Sequence, residues 1–182
     1  MDINELLKKI WSNIFLVPEK RFDELTKDKE YKESFVYLLV CLAISSPILF
    51  ISTILMNVGS TAALTNTMVI IILSIPFAYI GFGLIHLFLK LLGGKADFLK
   101  TVQVCVYGQT TATIFGRLPW IGWIFGLVAL ANVVLGAKRI HDISLLRAIV
   151  AVVIIPVILT MILAFLAAAY LISNQTFTGP VY

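Results

Sequence analysis

LLRAIVAVVIIPVILTMILAFLAAAYLI, residues 145–172, carries one charge, Arg147 at its third position, and no Asp, Glu, Lys or Arg after it. About 20 apolar residues in a helix cross the ~30 Å hydrocarbon layer of a bilayer, so this stretch reads as a transmembrane helix. Working back from it, apolar runs cover approximately 34–56, 67–89, 101–116 and 120–137. Composition agrees: of 182 residues, 60% are hydrophobic and 13% charged, and the mean hydropathy is +0.99. Such a chain lies outside the range of soluble globular domains and is expected to be solvated by lipid. The reading is an all-α, polytopic membrane protein of about five transmembrane helices with a short cytosolic N-terminal helical segment. Its parts are 1–33, amphipathic and polar; 34–173, the five-helix bundle; and 174–182, a short external tail.

The third run, Thr101 to Gly116, is short and polar, and hydropathy alone would allow a shallow hairpin. Arg117 argues for a full crossing, because at the tip of a shallow hairpin an Arg costs at least about 2.5 kcal/mol. Trp120 and Trp123 beside it fit an interfacial aromatic belt. Lys and Arg in alternate connections number thirteen against one, Arg117. The positive-inside rule then puts the N-terminus in the cytosol and the C-terminus outside. This bias absorbs the net charge of +4; no basic stripe interleaved with aromatics points to nucleic acid. The first fifteen residues lack the unbroken apolar core of a cleavable signal peptide, so the first span is expected to direct insertion.

Ile3, Leu6, Leu7, Ile10, Trp11, Ile14 and Phe15 recur at helical spacing on one face, with Asp2 and Glu5 placed as a capping box. Such a helix suits the membrane interface, with Trp11 buried as an anchor. Packing on the cytosolic end of the bundle is the equal alternative. Pro18 at a first helical position starts a second, polar helix running to about Lys32.

Catalytic, cofactor and metal sites are not expected. No Asp or Glu lies within a span, which disfavours an ion-coupled carrier. Cys41 and Cys105 sit in apolar runs and read as buried small side chains. His86 and His141 lack metal-ligand spacing. Ser45 and Ser46, before Pro47, have no base to activate them. The polar side chains His86, Gln103, Tyr107, Gln109, Thr111 and Asn132 read as hydrogen-bonding glue between helices. The sharper alternative is a conduit, with Gln103, Tyr107 and Thr111 at i, i+4, i+8 facing Asn132. Gly122 with Gly126, and Thr160, Ala164 and Ala168, mark close helix approach.

Gly136-Ala137-Lys138-Arg139-Ile140-His141-Asp142-Ile143-Ser144, followed by Arg147-Ala148-Ile149, resembles the Yip domain, in which a fourth helix ends in Gly-x-Lys and a short His-containing loop leads into the fifth. Pro18 and Phe22, and Gly93-Gly94-Lys95-Ala96-Asp97-Phe98 ahead of Tyr107-Gly108, extend the likeness. The resemblance implies the Ypt/Rab-interacting membrane proteins, which in eukaryotes bind prenylated Rab-type GTPases and act in vesicle traffic. Asp142 stands where the family usually has Gly. A short N-terminal segment and ten Lys against four Arg resemble a prokaryotic member in the cell membrane, where Rab partners do not exist.

The function expected is that of a non-enzymatic scaffold or adaptor in membrane organisation. The alternative is a small transporter, channel or exporter accessory using the third helix. Lys138, Arg139, His141, Asp142, Pro18 and Phe22 are the candidate docking surface, with Asp142 holding the imidazole or pairing with Arg139. Expected partners are the bilayer, anionic lipid headgroups, and a membrane or cytosolic protein, with homo-oligomers left open.

Overall fold

The computed structural model describes residues 3–15, 17, 22–24, 26, 31–56 and 59–176. Among them it is built from helices with no strand. Pro18, Asp2 and the residues after 176 lie outside this set, as does most of the polar helix expected to run to Lys32.

Helix α1 (Ile3–Ser12) divides its apolar arc between two environments. Leu6 and Ile10, continued by Ile14 and Val17, are buried against the bundle, whereas Ile3, Leu7, Trp11 and Phe15 point away from it, Trp11 69% exposed. Trp11 is thus not covered by the bundle, and its side of the helix is the one available to the membrane interface. An apolar arc of seven side chains is wider than one contact can cover, so the half nearer the bundle is buried by protein and the other half is left for lipid.

The long hairpin α2 (Tyr31–Leu55) and α3 (Ser60–Leu91) carries internal prolines. Pro47 cannot donate to the carbonyl of Ala43 four residues back. The Ser46 hydroxyl donates to that carbonyl instead, at 2.8 Å.

The third apolar run forms α4 (Phe98–Gly108) and α5 (Thr110–Phe115), broken at Gln109. Four helical stretches are long and apolar enough to cross a membrane, 32–55, 60–91, 122–141 and 145–172; this one is not among them. Every residue from Thr101 to Gly108 is buried, with α2, α3 and α6 (Gly122–His141) packed around it. A polar, broken helix is tolerated at membrane depth when protein covers it. Gly108 permits this closeness: a Cβ there would stand 3.0 Å from the backbone nitrogen of Val133.

After α6, α7 (Leu145–Ile149) passes through one π-helical stretch (Val150–Ile154) into α8 (Ile155–Thr176). Pro156 follows directly, and the wider turn accommodates the carbonyl its ring would otherwise strike. Thr160, Ala164 and Ala168 are exposed among the described residues. Gly126 meets nothing at its Cβ position, whereas a Cβ at Gly122 would strike the Gly116 carbonyl oxygen, so of this pair only Gly122 serves close approach within the chain.

Candidate functional site

Three distant segments meet at the charged end of the bundle. The first is the loop before α4. Gly93 adopts φ +93°, a conformation that L side chains rarely adopt. Gly94 is pressed so closely on its neighbours that a Cβ would lie 2.6 Å from His141 Nδ1 and 2.8 Å from the Leu89 carbonyl. The Lys95 amide donates to the His141 carbonyl at 3.1 Å. Asp97 caps α4 by accepting from the Lys100 amide at 3.0 Å, the usual use of Asp ahead of a helix.

The second segment is the turn from α6 to α7. Asp142 has φ 53° and ψ 48° and ends α6 in the left-handed conformation. The Ile143 amide closes the turn on the Lys138 carbonyl at 3.2 Å, the Schellman pattern. Glycine is the commonest residue at such a position, which explains physically why a Gly→Asp departure is tolerated here: Asp is among the few other residues that enter this region. The Asp142 carboxylate pairs with Lys95 Nζ at 2.5 Å. That hydrogen bond and the Lys95 charge hold its pKa below the usual carboxylate range. Ser144 then caps α7, accepting from the Arg147 amide at 3.4 Å.

His141 itself is fully buried. Its Nε2 lies 2.9 Å from Thr101 Oγ1, and His86 Nδ1 lies 2.7 Å from the same oxygen. One hydroxyl therefore joins α3, α4 and α6. A hydroxyl can donate to one imidazole and accept from the other, and since the rings meet it through Nε2 of His141 and Nδ1 of His86, two neutral rings in the same tautomer, both Nδ1–H or both Nε2–H, satisfy the arrangement.

The third segment is the chain after α1. Phe22 is fully buried over Gly136, where a Cβ would come within 2.8 Å of the Phe22 ring and of Val104. Asp23 takes a forked pair from Arg139, 2.8 Å from Nη2 and 3.1 Å from Nε. Deeper in the bundle, Asn132 Oδ1 accepts from the Val17 amide at 2.8 Å, and Asn132 Nδ2 donates to the Phe15 carbonyl at 3.1 Å. Thr111 donates to the Ile14 carbonyl. Tyr37, Asn13 and Thr110 complete the chain of bonds, at 3.2 and 2.8 Å.

Of the expected docking residues, Phe22, Arg139 and Asp142 are brought to one end of the molecule, and Lys138, half-buried, lies in the same last turn of α6 as Arg139. His141 is too buried to face a partner, because its ring is needed to close α4 on α6. Asp142 pairs with Lys95, and Arg139 with Asp23, in place of the expected pairing with each other or with the imidazole. Gln103, Tyr107, Thr111 and Asn132 are each at most 1% exposed. Asn132 and Thr111 hold the N-terminal segment through its backbone. Trp120 and Trp123 are exposed at the α5–α6 turn, 84% and 67%. Thr101, Gly94, Lys95 and Asp23 were not singled out as site residues, for nothing local in the sequence marks a hydroxyl that will stand between residues 86 and 141.

A cleft of about 550 Å³ lies where the segments meet, lined by Asp23, Thr26, Lys95, Ala96, Asp97, Lys100 and Ile140. Among the described residues, no group of three or more His, Cys, Asp or Glu side chains could hold a metal ion.

The family model described as the Yip1 domain matches residues 12–168. The chain belongs to the Yip1 domain family. No curated protein and no solved structure matches it. The matched residues take in all three segments of the charged end, so what joins them is part of the Yip1 domain itself. With its apolar helices, this Yip1-domain chain is an integral membrane protein of the Yip type.

Proposed function

We propose that this Yip-type protein is a non-enzymatic membrane scaffold or adaptor whose charged end docks a protein partner at an anionic cytosolic membrane surface. One observation carries the reading: the cleft between the Asp23, Lys95 and Ile140 walls is built by three segments far apart in the chain and held by Phe22 on Gly136, Arg139 on Asp23, and Lys95 on Asp142. Side chains on the cleft wall, Lys100 among them, offer charge of both signs, which suits a protein surface more than a simple anion. The cationic excess at this end supports an N-terminus in the cytosol. The Lys-rich, Ile-rich composition supports a prokaryotic cell membrane.

Ala96→Trp fills the cleft without touching the residues that assemble it. Affinity capture from native membranes should lose its partners with this variant while the thermal unfolding temperature in detergent stays that of the wild type. Identical captured proteins would refute docking at the cleft. A cysteine placed at Gly59 should be labelled from outside intact cells and one at Ala96 should not, after Cys41 and Cys105 are removed; labelling at 96 would reverse the orientation.

A further inference from the structure

Beside the break in the central helix lies a second polar feature that the docking surface does not use. Gln109, Thr113 and Arg117 follow one another at i, i+4 and i+8, and all three line a cavity of about 230 Å³ between α2, α3 and α5. Ser74 joins them, and Leu38, Leu42 and Ala78 form the apolar walls. The Ser74 hydroxyl donates to the Ile71 carbonyl at 2.8 Å, leaving its lone pairs facing outward. Among the described residues, the side chains of Gln109, Thr113 and Arg117 have no hydrogen-bond or ion-pair partner.

The depth of this groove makes that state costly. Leu42 precedes the end of α2 at Leu55 by 13 residues, and Ser74 follows the start of α3 at Ser60 by 14. At about 1.5 Å per residue, two antiparallel helices independently put the groove about 20 Å below the far end of their hairpin. A hydrocarbon layer about 30 Å thick that begins at that end reaches past it. The rim is apolar and lipid-facing: Leu39 on α2 and Leu73 and Phe77 on α3 are exposed, Phe77 67%. A guanidinium in such a place pairs with an anion, and an anion reaching it through an apolar rim arrives attached to acyl chains.

We infer that the groove between α2, α3 and α5 binds a phospholipid by its phosphate, with Arg117 holding the phosphate oxygens and Gln109 and Thr113 donating to the headgroup. Leu38, Leu42 and Ala78 then cover the start of the acyl chains. A guanidinium meets a phosphate with two parallel N–H donors, which a lysine cannot reproduce. The site is separate from the cleft at the charged end and does not depend on it.

The test uses the full chain in neutral phosphatidylcholine nanodiscs. A photoactivatable phosphatidylglycerol added at low mole fraction should label the peptide containing residues 109–117. Unlabelled phosphatidylglycerol should compete, and inorganic phosphate should not. Competition by phosphate alone would make the site one for a soluble anion and overturn the lipid. Labelling spread evenly over the exposed faces of α3 and α8 would mean no site. Native mass spectrometry should show Arg117→Gln holding phosphatidylglycerol about tenfold more weakly and Thr65→Val, on the exposed surface of α3, unchanged. Equal binding by both variants and wild type refutes the assignment. The wild-type labelling stands as evidence even where Arg117→Gln fails to fold.

Discussion

The charged end and the groove beside Gln109 are both polar, and they are satisfied in opposite ways. At the charged end, Asp23 meets Arg139, Lys95 meets Asp142, and Thr101 stands between His86 and His141. In the groove, Gln109, Thr113 and Arg117 face open space. Polar residues of the first kind shape the fold. Those of the second kind are left for something the chain does not supply, because a buried or membrane-depth polar group without a partner is costly. Two neighbouring threonines, Thr111 and Thr113, fall on either side of this division.

The largest test of the comparison concerns the N-terminal segment. Phe22 is fully buried against Gly136 and Val104, so Phe22→Ala should lower stability by about 3–5 kcal/mol. The check is thermal unfolding in detergent together with the rate of proteolysis before residue 31. Wild-type behaviour in both would separate this segment from the core and dissolve the three-segment surface.

Next in size is the shared hydroxyl. Thr101→Val keeps the shape but leaves a nitrogen on each of His86 and His141 without its partner, at a cost of about 1–3 kcal/mol for a buried group. Thr101→Ser should recover most of it. If the valine variant is as stable as wild type, the hydroxyl is incidental and the two histidines are held by packing alone.

Sequence reading reached the helical membrane fold because long apolar runs admit few alternatives in lipid, and it reached the family because its pieces lie in order along the chain. It found the polar character of the third run, and the glue reading of Gln103, Tyr107, Thr111 and Asn132 agrees with their burial. It missed that the partner of Thr111 and Asn132 is the N-terminal backbone at Ile14, Phe15 and Val17, since a backbone amide or carbonyl leaves no mark in residue type. It placed His141 on the surface because a His beside Asp after two cations reads as exposed. The close approach at Gly94, which buries the ring, becomes visible only when the loop before α4 is folded against the end of α6. Arg117 was read by its depth along one segment, and α2 and α3 extend well past it.

Asp142 offers a finer test at the charged end. Its side chain and that of Lys95 are about three-quarters exposed, and pairs of this kind add little in water. Its left-handed backbone favours glycine. Asp142→Gly should therefore be as stable as wild type or slightly more so, and Asp142→Ala less stable than either, having neither the pair nor the easy conformation. The folded carboxyl lies below its unfolded pKa, so the pair's contribution is present above about pH 4, the unfolded value, and fades as pH falls through the folded one. Unfolding of the wild type should accordingly approach that of Asp142→Ala on acidification; a gap that widens toward low pH would reverse the sign and remove Lys95 as the partner.

The smallest effect is expected where the comparison is sharpest. Thr111 and Thr113 share a helix, but Thr111 is buried and bonded to the N-terminal backbone, whereas Thr113 looks into the groove. A Thr→Val change keeps volume and removes the hydroxyl, so it reports on the hydrogen bond more than on packing. At position 111 it strands the Ile14 carbonyl. At position 113 it strands nothing in the chain, and the stability change in lipid-free detergent should stay within about 0.5 kcal/mol, the range of substitutions away from any specific contact. The same valine in phosphatidylglycerol nanodiscs removes a headgroup donor, so the stabilisation that this lipid gives the wild type should shrink. A Thr113→Val that is strongly destabilising without lipid would mean the hydroxyl has a partner within the protein, and the groove would join the charged end as a feature of the fold.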